Sequence, residues 1–457
     1  MRSLYYSLFT IIIISAGCRK DERISTDVNT KLTLSNTTLL FDTIFTSIGS
    51  TTRKIKVVNK NNEALNISEI KLSGGAASPF ALNINGQNLS AKNNLILNGK
   101  DSLNIFVKVT INPDAKTTPF LIQDSIIISS NGNRQAVQLL AYGQNAVFIN
   151  NGIINTNTTW NKNLPYIING SVNIKSGTTL TIQPGAKIYF HKDAEMNIDG
   201  FLNASGSHAE PILFCSDRLE TIYSNEPGQW KGIYISRTGG GMIKNATIKN
   251  ASVGITSDSL SANSNPKLLV SNSIIKNMQV AAYVGNHSEF LAFNNLFYNC
   301  GNYLIYAIGG GNYNFKQNTF VGFNPDFPRK TAALTFSDYL NNKVYNKLQI
   351  ELTNNIIWGS LNNELDIMKK TSAILQLNIF NNLIKTTNLT YNLNGNLINT
   401  DPLFVSPGLE NYNVLVSSPV IKKGLDLSKD PYFNSYLNQD LNNKPRFFPS
   451  TIGCYEN

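Results

Sequence analysis

Between Lys31 and Gln144 apolar and polar residues alternate in bursts of strand length. The clearest are Ile55-Lys56-Val57-Val58, Leu65-Asn66-Ile67, Asn104-Ile105-Phe106-Val107-Lys108-Val109 and Ser125-Ile126-Ile127-Ile128. A strand shows successive residues to opposite faces, so each burst offers one face to a core and one to solvent. Turn formers separate the bursts at Lys60-Asn61-Asn62, Asn98-Gly99-Lys100 and Asn131-Gly132. Short strands at this spacing predict a β-sandwich over residues 31–145.

Beyond Asn150 self-similarity takes over. Ile243-Lys244-Asn245-Ala246-Thr247-Ile248 aligns with Val270-Ser271-Asn272-Ser273-Ile274-Ile275 and Ala292-Phe293-Asn294-Asn295-Leu296-Phe297. Phe315-Lys316-Gln317-Asn318-Thr319-Phe320, Leu352-Thr353-Asn354-Asn355-Ile356-Ile357 and Ile379-Phe380-Asn381-Asn382-Leu383-Ile384 continue the frame. The shared polar column (245, 272, 294, 317, 354, 381) recurs at intervals of 27, 22, 23, 37 and 27 residues. Such intervals suit single rungs of a parallel β-helix, and the longest implies a loop of about ten extra residues near Asn324 to Lys343. Apolar residues two before and three after the column are expected to face inward. The column itself is expected at a turn, where Asn tolerates bent backbone and successive side chains bond one another up a stack spaced ~4.8 Å.

Composition supports the same class. The chain has 457 residues, 65 of them Asn, with 15% charged and 42% hydrophobic residues and four Cys. This excludes a disordered chain, a collagen-like fibre and a disulfide scaffold, and favours an all-β protein, because Asn is a turn former and a poor helix former. The surplus of 39 basic over 29 acidic residues is spread thinly, in pairs such as Arg329-Lys330, Lys369-Lys370 and Lys422-Lys423. No basic run marks a nucleic-acid partner. An acidic polymer is permitted, and lysines guarding strand edges explain the charge as well.

Residues 1–17 read as an export signal: Arg2, the apolar Leu8 to Ile14, and Ser15-Ala16-Gly17 before Cys18. The apolar stretch is too short to span a bilayer. Small residues directly ahead of a Cys resemble the lipobox of bacterial lipoproteins, which implies cleavage before Cys18, lipid on Cys18 and membrane attachment through it. Ser15 stands where that family prefers Leu or Val. Arg19-Lys20-Asp21-Glu22 resembles the short charged signal that carries some Gram-negative lipoproteins to the cell surface, and residues 18–30 read as a tether. The resemblance implies an outer-membrane, lipid-anchored, surface-exposed protein.

Three further resemblances bear on architecture. Phe41-Asp42-Thr43, Ser78-Pro79-Phe80 and Ile111-Asn112-Pro113 occur in an order similar to immunoglobulin-like modules of the hydin and choice-of-anchor kind, which implies a spacer or contact surface. Leu180-Thr181-Ile182-Gln183-Pro184-Gly185-Ala186-Lys187-Ile188-Tyr189-Phe190, then Pro211-Ile212-Leu213-Phe214 and Gln229-Trp230-Lys231-Gly232-Ile233, resembles the opening rungs of right-handed parallel β-helices of the pectate-lyase-like superfamily. With the repeats this covers residues 150–400. Residues 401–457 resemble a closing choice-of-anchor Q segment, with Pro445-Arg446 and Ile452-Gly453-Cys454-Tyr455-Glu456; Cys454 replaces its usual Ala. A solenoid needs its open end covered, so this segment reads as a cap.

The superfamily implied by the rungs contains lyases and hydrolases, but its Asp-Asp and Gly-His-Gly hydrolase motifs are absent. A lyase needs a basic residue near clustered carboxylates that hold Ca. Candidate bases are Lys187, Arg329 and Lys330, and candidate metal ligands are Asp193, Glu195 and Asp199, with Asp326 and Asp338 in the long-rung loop. Calcium is expected only for a lyase, and no other cofactor. Sugar-stacking candidates are Trp160, Tyr166, Tyr223, Trp230, Tyr234, Tyr298, Tyr303, Tyr306, Tyr313, Phe323, Phe327 and Tyr339; burial is the commoner fate of such rings. The three His are scattered, which disfavours zinc. Cys215 and Cys300 lie too many rungs apart for a disulfide. Thr43, Ser102, Ser125 and Ser259 each follow Asp and precede an aliphatic residue, resembling an O-glycosylation motif of exported proteins.

These features predict an envelope lipoprotein that binds or displays, towards a polysaccharide or protein partner. The alternative is a lyase or glycoside hydrolase acting on an acidic polysaccharide.

Overall fold

A computed structural model describes residues 23–324, 328–340, 344–370 and 375–457. Cys18, Arg19-Lys20-Asp21-Glu22, Asp326 and Phe327 lie outside the described residues. The protein is all-β, and it divides into two compact units at Asn145 and Ala146.

In the first unit two sheets enclose one core. One sheet orders Ile24–Ser25, Ala64–Leu72, Phe120–Ser130, Asn133–Gln144 and Thr38–Phe45, with Ala91–Leu97 also paired to Ala64–Leu72. The other orders Thr33–Leu34, Arg53–Val58, Ser102–Val109, Phe80–Ile84 and Gln87–Leu89. Alternation decides what is buried: Ile55, Val57, Ile105, Val107, Leu65, Ile67, Ile126 and Val137 are all fully buried, while Lys54, Lys56 and Lys108 between them face water. Each such apolar side chain contributes about 1.5–3 kcal/mol on leaving water.

The second unit is a solenoid whose strands form one 25-stranded parallel network. The register joins Ile243, Val270, Ala292, Phe315, Leu352 and Ile379 rung by rung, so the sequence copies are true rungs. Residues three after the column, from Ile248 to Ile384, stack inward as expected. The long rung departs from expectation. Its extra residues do not form one loop but flank a rung strand, Leu334–Ser337, with a small hairpin of Tyr339–Leu340 and Val344–Tyr345 beyond it.

Each rung turns through three faces. The groove face includes Gly240–Lys244, Leu268–Ser271, the second halves of Ala281–Phe293 and Tyr303–Lys316, then Leu348–Thr353 and Leu375–Phe380. After a sharp corner comes the strap face: Ala246–Lys249, Ile274–Met278, Leu296–Cys300, Thr319–Gly322, Ile356–Gly359 and Leu383–Ile384. The third face carries Val253–Asp258, the first halves of the two long strands, Leu334–Ser337 and Leu365–Met368.

The Asn stack is real but sits one residue later than the expected column. Asn295, Asn318, Asn355, Asn382 and Asn396 are buried and bond in series, each amide oxygen from Asn318 onward accepting from the side chain one rung earlier at 2.9–3.1 Å. Each Nδ2 also donates to a main-chain carbonyl, as Asn318 does to Ala292 at 2.8 Å. The expected column instead holds the left-handed corner residues, Asn245, Asn272, Asn294, Gln317, Asn354 and Asn381, with φ between 48° and 59°. Asn enters this region at less cost than most residues.

From Asn272 onward those corner side chains point outward and bind the C-terminal segment, whereas Asn245 donates to the Gly206 carbonyl. Asn294 donates to Tyr436 and Gln439 carbonyls at 2.6 and 2.7 Å, Asn354 to Leu425 at 3.0 Å, and Asn381 to Lys423 at 2.9 Å. Residues 401–457 are therefore a strap along a solenoid corner, not a cover for the open end. Val420, Ile452, Cys454, Phe404 and Tyr412 pack on Leu296, Tyr298, Val321, Ile356 and Leu383 of the strap face. Leu427, Leu437, Tyr432, Phe433 and Tyr436 pack on Met242, Leu269, Leu291 and Phe293 of the groove face. Buried Arg446 pins the strap, bonding Glu456, the Asn294 side chain at 2.8 Å and the Gly453 carbonyl at 3.0 Å.

Candidate functional site: a polar groove beside the strap

The outward residues of the groove face form columns in register. One runs Glu289, Asn312, Gln349, Gln376; the next, two residues along each strand, runs Leu291, Asn314, Glu351, Asn378. Between them Phe290, Tyr313 and Ile350 point into the core. In the two preceding rungs the second column is apolar, Met242 then Leu269, and the strap covers it. Where the column turns polar the strap has moved aside, leaving a groove of about 280 Å³ edged by Tyr432.

Lys316 stands behind this groove, in the next outward column. Its side chain is 5% exposed and bridges Glu351 at 2.7 Å and Asp430 at 2.5 Å. Burial works against its charge, but the bonds to Asp430 and Glu351 outweigh that and raise its pKa above the ordinary lysine value. Lys316 is thus a charged bracket joining strap to solenoid, unsuited to remove a proton. The lining offers amides, two carboxylates and one tyrosine edge, and the buried Asn314 Oδ1 accepts no hydrogen bond. Neighbouring rungs repeat these groups every ~4.8 Å. Donors and acceptors so arrayed beside an aromatic edge suit a polyhydroxylated ligand.

Of the described residues singled out from sequence, only Tyr313 lines this groove, and its side chain is buried in the core. Lys187 is exposed at the start of Lys187–Phe190 on the strap-face side. Arg329 is buried, its Nη2 reaching both Glu364 oxygens at 2.7 Å, with further bonds to the Gly322 and Thr331 carbonyls. An arginine so engaged is a structural clasp and not a base; neighbouring Lys330 is exposed and outside the groove. Asp193 occupies an exposed turn at φ 62°, Glu195 pairs with Lys231 at 3.3 Å, and Asp199 lies beyond the strand end. Among the described residues no group of three His, Cys, Asp or Glu converges to hold a metal, so the proposed Asp193–Glu195–Asp199 set is not one. Asp338 is buried and accepts from the Lys370 amide at 3.0 Å.

Among the aromatic candidates Trp160, Tyr166, Trp230, Tyr298 and Tyr313 are buried. Tyr303 and Tyr306 stack at 4.4 Å, half-exposed, outside the groove, and Tyr223, Tyr234, Phe323 and Tyr339 also remain partly open. Cys215, Cys300 and Cys454 are free and buried, and burial pushes each thiol up to about 12. Thr43, Ser102, Ser125 and Ser259 are half-buried, and the Asp before each is occupied: Asp42 by Arg53, Asp101 by the Ser102 amide, Asp124 by Gly74 and Ser125, and Asp258 by Tyr234 and Asn286.

Sequence reasoning missed Glu289, Asn312, Asn314, Gln349, Glu351, Gln376, Asn378 and Tyr432. A signal existed just ahead of the copies. Asn312-Tyr313-Asn314, Gln349-Ile350-Glu351 and Gln376-Leu377-Asn378 alternate polar and apolar, whereas Leu268-Leu269-Val270 and Phe290-Leu291-Ala292 do not. Continuous apolar runs mark strands covered on both sides.

A family described as pectate-lyase like beta helix domain matches residues 152–257. Solved structures similar in part include a family 123 glycoside hydrolase from Clostridium perfringens, at 11% identity and TM-score 0.19, covering 27% of this chain and 26% of that one. A PapD-like domain of human CEP192 matches at 11% identity and TM-score 0.18 over 28% of this chain and 94% of its own. XylC in complex with xylose matches at 10% identity and TM-score 0.37 over 82% of this chain and 79% of that one. The chain thus spans about a quarter of the first of these proteins. Comparison with curated proteins gives no match. The opening rungs are accordingly similar to pectate-lyase-like β-helices, and the groove lies on later rungs of the same solenoid.

Proposed function

We propose that this protein is a lipid-anchored envelope protein, displayed at the outer membrane, whose solenoid binds polysaccharide along the polar groove. The observation that carries the reading is the change within one column, from strap-covered Met242, Leu269 and Leu291 to uncovered Asn314, Glu351 and Asn378 beside Tyr432. Polar side chains held in register on a rigid scaffold bind with little ordering cost. The signal segment ahead of Cys18 supports a location in the envelope, where polysaccharide is an abundant polymer. Retention of wild-type protein on a glycan array, lost in Asn314→Ala, tests the groove; loss of palmitate labelling in Cys18→Ala tests the anchor.

A second reading is hydrolytic, favoured by two carboxylates, Glu289 and Glu351, lining one groove. Paired carboxylates are the usual equipment for glycoside hydrolysis. It predicts new reducing ends from any retained glycan, abolished by Glu289→Gln. Eliminative cleavage has less support, since Lys316 is held charged between Asp430 and Glu351.

A further inference from the structure

We infer that the groove selects uncharged, hydroxyl-rich glycans and rejects uronate polymers; this rests on the glycan-binding reading above. The chain as a whole carries a formal charge of +10, which on its own favours an anionic ligand. The groove reverses that local balance. Glu289 and Glu351 line it, and among the described residues no Lys, Arg or His does. Lys316, in the adjoining column, is 5% exposed and already shared by Glu351 and Asp430, so its charge is spent within the wall.

Carboxylates are acceptors only, and they match the hydroxyl donors of a neutral sugar. Asn312, Asn314, Gln349, Gln376 and Asn378 supply both donors and acceptors without net charge. A uronate ring seated on the same columns brings its carboxylate against Glu289 or Glu351 with no guanidinium or ammonium to receive it. Like charges placed together at an interface weaken binding, here by about tenfold or more.

The test titrates the intact protein with cellotetraose, mannotetraose and tetragalacturonate by calorimetry at low and moderate salt. The expected result is a neutral tetramer bound at least about tenfold more tightly than tetragalacturonate, weakened by Asn314→Ala. Glu289→Lys is expected to raise tetragalacturonate affinity about tenfold with no change in melting temperature. Tetragalacturonate binding as tight as the best neutral tetramer, and weakened by Asn314→Ala, overturns the selectivity while the groove still binds glycan. Binding of no tetramer, or binding indifferent to Asn314→Ala and Glu289→Lys, overturns the glycan-binding reading itself.

Discussion

Asn318 Oδ1 accepts two hydrogen bonds from Asn295, one from the main-chain amide at 2.9 Å and one from Nδ2 at 3.0 Å. The same double bond repeats between Asn355 and Asn318 and between Asn382 and Asn355. These amides are buried, so each link is obligatory: an unmet polar group there costs about 1–3 kcal/mol.

Asn318→Ala leaves the buried Asn295 main-chain amide without its acceptor, removes one of the two bonds of Asn295 Nδ2, and takes a donor from the Ala292 carbonyl. The expected loss is about 3 kcal/mol or more of unfolding free energy, measured by denaturant titration. The neighbouring Gln317 offers no replacement, since it occupies the corner and bonds the Ser450 hydroxyl of the strap. By contrast Asn245→Gly, at a corner that tolerates left-handed backbone, is expected to cost well under about 1 kcal/mol.

The rung period was legible because apolar residues two before and three after the corner obey it without exception. The position of the stack was not. Asn294-Asn295, Asn354-Asn355 and Asn381-Asn382 are doublets, and either member can take the corner or the stack by composition. Gln317-Asn318 points to the second position, because Gln is too long to repeat the short Asn link, but Asn245-Ala246 and Asn272-Ser273 carry Asn only at the first. The strap was visible as a motif, Arg446 with Gly453-Cys454 and Glu456, but its docking partners are scattered over earlier rungs, as far back as Asn294 for Arg446. Gly453, at φ 103°, leaves no room for a side chain: a Cβ there meets the Thr319 hydroxyl and Ile356 at 2.8 Å. The groove escaped notice because its residues stand outside the repeated frame.

Arg329→Ala leaves Glu364 buried at 0% side-chain exposure without its partner. Removing one member of a buried pair costs about 3–5 kcal/mol, and Arg329→Lys is expected to rescue little, since one ammonium cannot also reach the Gly322 and Thr331 carbonyls that Nε and Nη1 hold. Melting temperature reports this loss; glycan affinity of the folded fraction is expected to stay unchanged, which separates the clasp from the groove.

Glu410 ties the strap to the strap face, accepting from Lys276 at 2.5 Å and from the Tyr298 hydroxyl at 2.7 Å. Burial raises its pKa, but the bonds to Lys276 and Tyr298 prevail and hold it below the ordinary glutamate value. A depressed carboxylate stabilises the fold fully above its unfolded pKa, and that contribution is lost as pH falls through the folded pKa. Melting temperature is therefore expected to drop on acidification below about pH 4.5, with a shallower drop in Lys276→Met.

The central claim is that the uncovered polar columns beside Tyr432 form the binding site. Calorimetric titration of a retained glycan into wild type, Asn314→Ala and Gln349→Ala tests it most directly. The account predicts at least about tenfold weaker binding in both variants with melting temperatures within a few degrees of wild type. Undiminished affinity in both folded variants would contradict it.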